Sequence, residues 1–189
     1  MIKKQLLLVA LALMVSGALS AQTLKANVDK SELKWLGKKV TGQHNGRVKL
    51  ADVVLTIKDN KIASGTFNID MKSITDDDLA DAGWNAKLVG HLKSDDFFGV
   101  EKFPMATLVL TEGTPFANNQ AEVKGKLTIK GITNPISFKV IKNGNTYTAT
   151  IEVNRAKYDV RYGSGSFFEN LGDKAIDDIF TLDVVLVVE

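Results

Sequence analysis

Cysteine is missing from this chain of 189 residues. That excludes disulfides, thiolate metal sites and a lipid-modified N-terminal cysteine. Histidine is scarce: His44 and His91 are the two copies. They have no His-x-x-x-His or similar spacing, so a metal pair would need Asp or Glu to complete it. Net charge is small as well. The formal charge of +2 includes Lys3 and Lys4, and the first 21 residues hold no acid, so the remainder of the chain is neutral. A neutral chain without a basic run is a poor nucleic-acid binder. It also lacks the polybasic patch that holds proteins on anionic membranes. No Ser-His-Asp grouping, phosphate-cradling glycine loop or cofactor fingerprint is present. Asp76-Asp77-Asp78 lacks the glycine and distal glutamate of a calcium loop and reads as a solvated loop. Neither a cofactor nor a metal is expected.

A long unbroken apolar run occurs at Leu6 to Val15, too short for a span of about 20 residues. It follows Lys3-Lys4 and precedes the small residues Ser16, Gly17, Ala18 and Ser20. This order predicts a secretory signal peptide over 1–21, cut near Ser20 or Ala21. Its compact form looks bacterial, so the expected address is the periplasm, with no stable membrane anchor. Residues 22–189 are the right length for one domain, and no repeat or linker divides them.

Most of that domain alternates. Leu33 and Trp35 share a face opposite Glu32 and Lys34; Val53, Leu55 and Ile57 alternate; Phe67, Ile69 and Met71 oppose Asn68, Asp70 and Lys72. Asp59-Asn60 and Asn143-Gly144-Asn145 are hairpin turns. In Val123 to Ile129, Gly125 stands where a large inward side chain is due, which implies a bend or a close approach. Phe180, Leu182, Val184, Leu186 and Val188 close the chain. The spacing changes from two to about four near residues 84–98, where Trp84, Leu88 and Leu92 form one helical stripe and Lys87, His91 and Asp95 a second, wet one. Gly99 and Pro104 stop this helix. The expected fold is therefore all-β, a closed antiparallel barrel of about eight strands with one helical insert near 84–98 that lids an end or covers an edge.

Three stretches resemble the YceI-like family of secreted bacterial lipid-binding proteins: Gly90-His-Leu-Lys-Ser-Asp-Asp-Phe-Phe98 running on to Lys102-Phe-Pro104; Val123-Lys-Gly-Lys-Leu-Thr-Ile-Lys-Gly-Ile-Thr-Asn-Pro135; and Asn154-Arg-Ala-Lys-Tyr-Asp159 with the closing strand. Residues 38–46 resemble a sub-branch of that family. The resemblance implies a lipocalin-like barrel over 22–189, with a long apolar tunnel that holds a polyisoprenoid or long-alkyl amphiphile and performs no chemical step.

On that reading Trp35, Phe67, Ile69, Leu92, Phe97, Phe98, Leu127, Ile129, Phe138, Ile151, Val153, Phe180 and Leu182 line the tunnel. The bland alternative is a solid core, since interiors are close-packed; a barrel of about eight strands can be filled or can hold one ligand. His44 and Arg155 are head-group candidates. Arg155 equally suits a structural role, paired with Asp159 or Asp177, and that role is preferred. His91 reads as a surface helix residue beside Lys87 and Asp95. Asp95-Asp96 could serve acid–base chemistry, but they read better as a helix end that turns Phe97 and Phe98 inward. The rival functions are an enzyme acting on a lipid through His44 or Asp95/Asp96, and an envelope interaction module with a solid core. The expected partner is a long-chain isoprenoid or alkyl lipid, and a homodimer is left open.

Overall fold

The structure, a computed structural model, describes residues 21–189. The cleavable leader expected over 1–21 therefore lies, save for Ala21, outside the described residues.

Ten strands form one antiparallel sheet. In chain order they are β1 (Gln22–Lys25), β2 (Glu32–Lys39), β3 (Gly42–Arg47), β4 (Lys49–Lys58), β5 (Lys61–Asp70), β6 (Met105–Gly113), β7 (Gln120–Ile129), β8 (Ile132–Asn143), β9 (Thr146–Asn154) and β10 (Ile179–Val187). Their order across the sheet is β1-β4-β5-β6-β7-β8-β9-β10-β2-β3. The expected count was about eight. The two extra strands come from the Lys38–Gly46 stretch, which is a true hairpin of β2 and β3, and from the short β1.

The expected closed barrel becomes a curled sheet whose ends are stitched rather than laddered. Ala26 bridges Val188, the Val48 N–H donates to the Leu33 carbonyl at 3.0 Å, and residues 75–77 run along the free edge of β3 through Thr75 N–H to Arg47 O and Asp77 N–H to Asn45 O, both 2.9 Å. A covered edge is protected from pairing with another chain. The wall is also thin between β8 and β9, which pair over Ile141 to Asn143 alone, next to their hairpin. Pro135 sits in the unpaired part of β8, where a residue without an N–H removes no ladder bond on that side.

The turns follow local chemistry. Asp59 and Asn60 take φ values of 52° and 55°, as the tight β4–β5 hairpin requires, and Lys130 and Gly131 do the same between β7 and β8. At Gly125 a Cβ would lie 2.5 Å from the Val109 carbonyl, beside a register shift in β6 at Leu110/Glu112. The glycine is there because a neighbouring backbone bulges toward it.

Two long excursions interrupt this meander, and both leave from and return to adjacent strands. β5 and β6 pair from Asp70↔Met105 upward, so residues 71–104 form one excursion; β9 and β10 pair from Asn154↔Ile179, so 155–178 form the second. Antiparallel order puts both at the same end as the β2–β3 turn. This end is the rim. The α-helix among the described residues, α1 (Ala82–Lys93), lies in the first excursion, with the Asp81 carboxylate accepting from the Trp84 N–H at 2.9 Å as its N-cap. It starts two residues earlier and ends five residues earlier than expected. Its apolar stripe is also rotated: Trp84 is 62 % exposed, with Lys87 Nζ 4.4 Å over its ring, and Leu92 is the buried residue.

Candidate functional site

The strand faces that point inward do not fill the interior. An apolar cavity of about 160 Å³ lies under the rim, and a second of about 60 Å³ lies toward the opposite end. Leu33, Ile69, Leu127 and Leu182 border both, so the two voids are in line and separated by these four side chains. Along β10 the sequence runs from Phe180 on the upper cavity, through Leu182 on both, to Val184 and Leu186 on the lower. The period of two that made the strands thus sets the depth at which each side chain enters.

Among the residues expected to line a tunnel, Trp35, Leu92, Phe97, Phe98, Ile129 and Phe180 line the upper cavity, and Phe67, Phe138 and Ile151 the lower. Ile69, Leu127 and Leu182 touch both. Val153 lines neither: it is 1 % exposed and packed into the core where β9 runs into the second excursion. The alternation that places it inward says nothing of what fills the space in front of it.

α1, through Leu88 and Leu92, and the Phe97–Phe98 pair that follows it roof the upper cavity. The Phe97 and Phe98 rings meet edge to face at 5.3 Å, and Phe98 reaches Phe180 at 6.3 Å. His91 is not a free surface residue. It is half-buried, stands edge-on to Tyr162 at 4.3 Å and to Phe97 at 5.6 Å, and borders the cavity. Asp95 and Asp96 are exposed, Asp95 pairs with Lys102 at 2.6 Å, and neither carboxylate borders a cavity.

Arg155 is 2 % exposed and borders the upper cavity, but its donors are engaged. Nε donates to Asp177 O at 2.9 Å, Nη1 to Val160 O and Tyr162 O at 3.0 and 2.8 Å, and Nη2 to Ile176 O at 2.9 Å. The ion pair is with Asp178, at 3.6 Å, not with Asp159, which pairs with Arg161. Four carbonyls held by one guanidinium make Arg155 the strut of the second excursion and leave it no fork to offer a head group. Burial pushes its pKa down, and the charges of Asp178 and Asp177 push back.

His44, on β3, is half-buried and also borders the upper cavity. Its Nδ1 lies 2.9 Å from Asp78 Oδ2. Asp76, expected in a solvated loop, is 7 % exposed. Burial pushes its carboxyl up, the Leu79 N–H pulls it down, and the neighbouring Asp78 carboxyl adds to the rise. At Asp78 burial also works upward, but the Asn45 N–H, His44 and Asp76 outweigh it and the net direction is down.

The model of the YceI-like domain matches residues 24–188. The chain belongs to the YceI-like family. Of solved structures, this YceI-like chain is similar to BcnA of Burkholderia cenocepacia, at 25 % identity and a TM-score of 0.67, covering 87 % of this chain and 99 % of that one. A polyisoprenoid binding domain from Saccharophagus degradans shares the fold, at 14 % identity and a TM-score of 0.59 over 88 % of this chain and 97 % of that one. A UPF0312 protein of Pseudomonas putida is 41 % identical over 54 residues; that match spans 29 % of this chain and 28 % of the relative. The fold is thus shared with structures of distant sequence.

Sequence reasoning missed some of the cavity wall. Leu33 and Met71 lie on faces whose alternation was read, yet neither was counted as lining. Leu88, Ile74 and Ile176 come from the two excursions, where no strand period exists to aim a side chain. The meeting of His44 with Asp76 and Asp78 had one faint signal, the i, i+2 spacing that puts two carboxylates on one side of an extended segment.

Proposed function

We propose that this chain is an exported, periplasmic carrier that holds a polyisoprenoid or other long-chain amphiphile in its apolar interior without transforming it. One observation carries the reading: two apolar voids in line, walled by strand residues and roofed by α1. Family membership and the polyisoprenoid binding domain among the fold neighbours support the ligand class, and the signal-peptide pattern of residues 1–21 supports the address. The enzymatic alternative loses its Asp95/Asp96 form, because both carboxylates face solvent away from both cavities, and keeps only His44, which borders the upper one. A single chain contains the whole cavity, so the reading needs no second copy.

Burial of a tail supplies about 0.8 kcal/mol per methylene, and about eight methylenes offset the lower part of an association cost of order 4–15 kcal/mol. The upper void, at about 160 Å³, is smaller than the roughly 300–1,000 Å³ of ordinary ligand sites. It accommodates one end of a chain. A longer tail requires Leu33, Ile69, Leu127 and Leu182 to turn aside and join the voids.

The test is saturable uptake of a fluorescent long-chain fatty amide by the delipidated protein. One site is expected, weakened at least about tenfold in L127W or L182W, each of which plugs the constriction. Absence of saturable uptake, or uptake indifferent to both plugs, contradicts the reading.

A further inference from the structure

The three consecutive aspartates split in direction. Asp77 turns out to Arg47, with Oδ2 2.8 Å from Nε. Asp76 and Asp78 turn the other way, toward His44. Each of these two carboxylates has one oxygen tethered by donors of its own chain. Asp76 Oδ1 accepts from the Leu79 N–H at 2.9 Å and from Asn85 Nδ2 at 3.1 Å; Asp78 Oδ1 accepts from the Asn45 N–H at 2.8 Å. Each leaves its second oxygen for a common point. Asp78 Oδ2 lies against His44 Nδ1, and Asp76 Oδ2 is shut off from solvent with no donor at all. One donor atom from each of the three residues falls within 4.8 Å of the others.

We propose that His44, Asp76 and Asp78 form a binding site for one divalent transition-metal cation of the zinc type. A buried carboxylate oxygen without a partner is costly, and the polar group facing it is another carboxyl. A doubly charged cation at the common point satisfies all three donor atoms and removes the repulsion between the acids. One imidazole nitrogen and two carboxylate oxygens suit zinc. Calcium, which takes six to eight oxygens, is poorly served. The tethered oxygens act as the outer support that fixes ligating groups in metal sites.

The backbone keeps the parts in register. β3 carries His44, and residues 75–77 are laid along its edge by the Thr75 and Asp77 N–H bonds. At Gly46 an added Cβ would lie 1.9 Å from the Thr75 carbonyl, so only glycine lets the aspartate segment come this close. Three protein ligands leave a coordination position for water or for an oxygen of another molecule, and the His44 ligand stands on the wall of the upper cavity.

The test is calorimetric titration of the tag-free, chelator-treated and delipidated chain with zinc chloride, alongside melting curves. One zinc per chain with a dissociation constant in the micromolar range or below is expected, with a raised Tm. H44A and D76N each lose at least about a hundredfold in affinity, the upper end for loss of a mere outer partner. D76N still folds, and without zinc it melts higher than the parent, because its amide can donate to Asp78. D77N, which keeps all three ligands, binds as the parent does. No heat and no Tm shift at millimolar zinc overturns the site, leaving a proton shared by the two acids. Undiminished binding by D76N, or an equal loss in D77N, overturns it too. Zinc is the sole probe, so the result is independent of lipid uptake.

Discussion

Arg155 shows what one buried side chain can hold. Its four bonds to carbonyls of residues 160–177 tie the second excursion to the end of β9. Truncation leaves those carbonyls unpaired, and Lys, with three donors on a point charge, cannot replace the fork. R155A is expected to cost about 3–5 kcal/mol in urea denaturation, the range for breaking a buried charged contact, and R155K most of that. A loss under about 1 kcal/mol would show that the strut is dispensable. Its partner Asp178 gives the pH dependence. Burial pushes Asp178 up, but the Ser164 and Ser166 hydroxyls and the Arg155 charge outweigh it, so its pKa falls below the ordinary 3.8. A depressed carboxylate contributes stability that is present above its unfolded pKa and is lost as pH falls through the folded one. Unfolding free energy should therefore decline below about pH 4, and D178N should flatten that acid limb. Gly46 is the third residue of consequence. G46A forces a Cβ into the Thr75 carbonyl and is expected to destabilise by more than about 4 kcal/mol, a magnitude reserved for gross steric or buried-polar defects.

Elements divide by whether their pattern is local. The strands were legible because a period of two and turn residues such as Asp59-Asn60 sit within a few positions of each other. The excursions were not, since their side chains are aimed by contacts far along the chain. Trp84 has the spacing of a buried helix residue and lies in solvent, while His91, on the stripe expected to be wet, is held by Tyr162, 71 positions later. Arg155 illustrates the same limit: the sequence offered Asp159 and Asp177 as ion-pair partners, and the fold supplied the Asp178 carboxylate and four backbone carbonyls, that of Asp177 among them. Closure was the other expectation to change, because the ends of the sheet meet through isolated contacts rather than a ladder, and within the wall pairing between β8 and β9 stops at Ile141. The consequence is measurable by hydrogen exchange. Alternate amides of Ile132 to Val140, those turned from β7 toward β9, should exchange much faster than the β7-facing ones. Uniform protection along β8 would mean that the wall is continuous there.

At the scale of the molecule, the rim gathers both excursions, the β2–β3 turn and α1 at one end, and the apolar voids extend from it toward the other. On the proposed carrier function, such an arrangement would read a tail by its length more than by its functional groups. Each added methylene should tighten binding about fourfold, at about 0.8 kcal/mol, until the chain reaches Leu33, Ile69, Leu127 and Leu182. Beyond that length the gain per methylene should shrink, as binding begins to include the displacement of those side chains. A series of fatty amides of increasing length measures this directly, and affinity independent of length would place the tail outside the voids. The central claim is occupancy, and native mass spectrometry of the gently purified chain tests it most directly. The account predicts one long-chain amphiphile per protein, lost on organic extraction and regained on incubation with lipid; a bare mass before and after that incubation would contradict it.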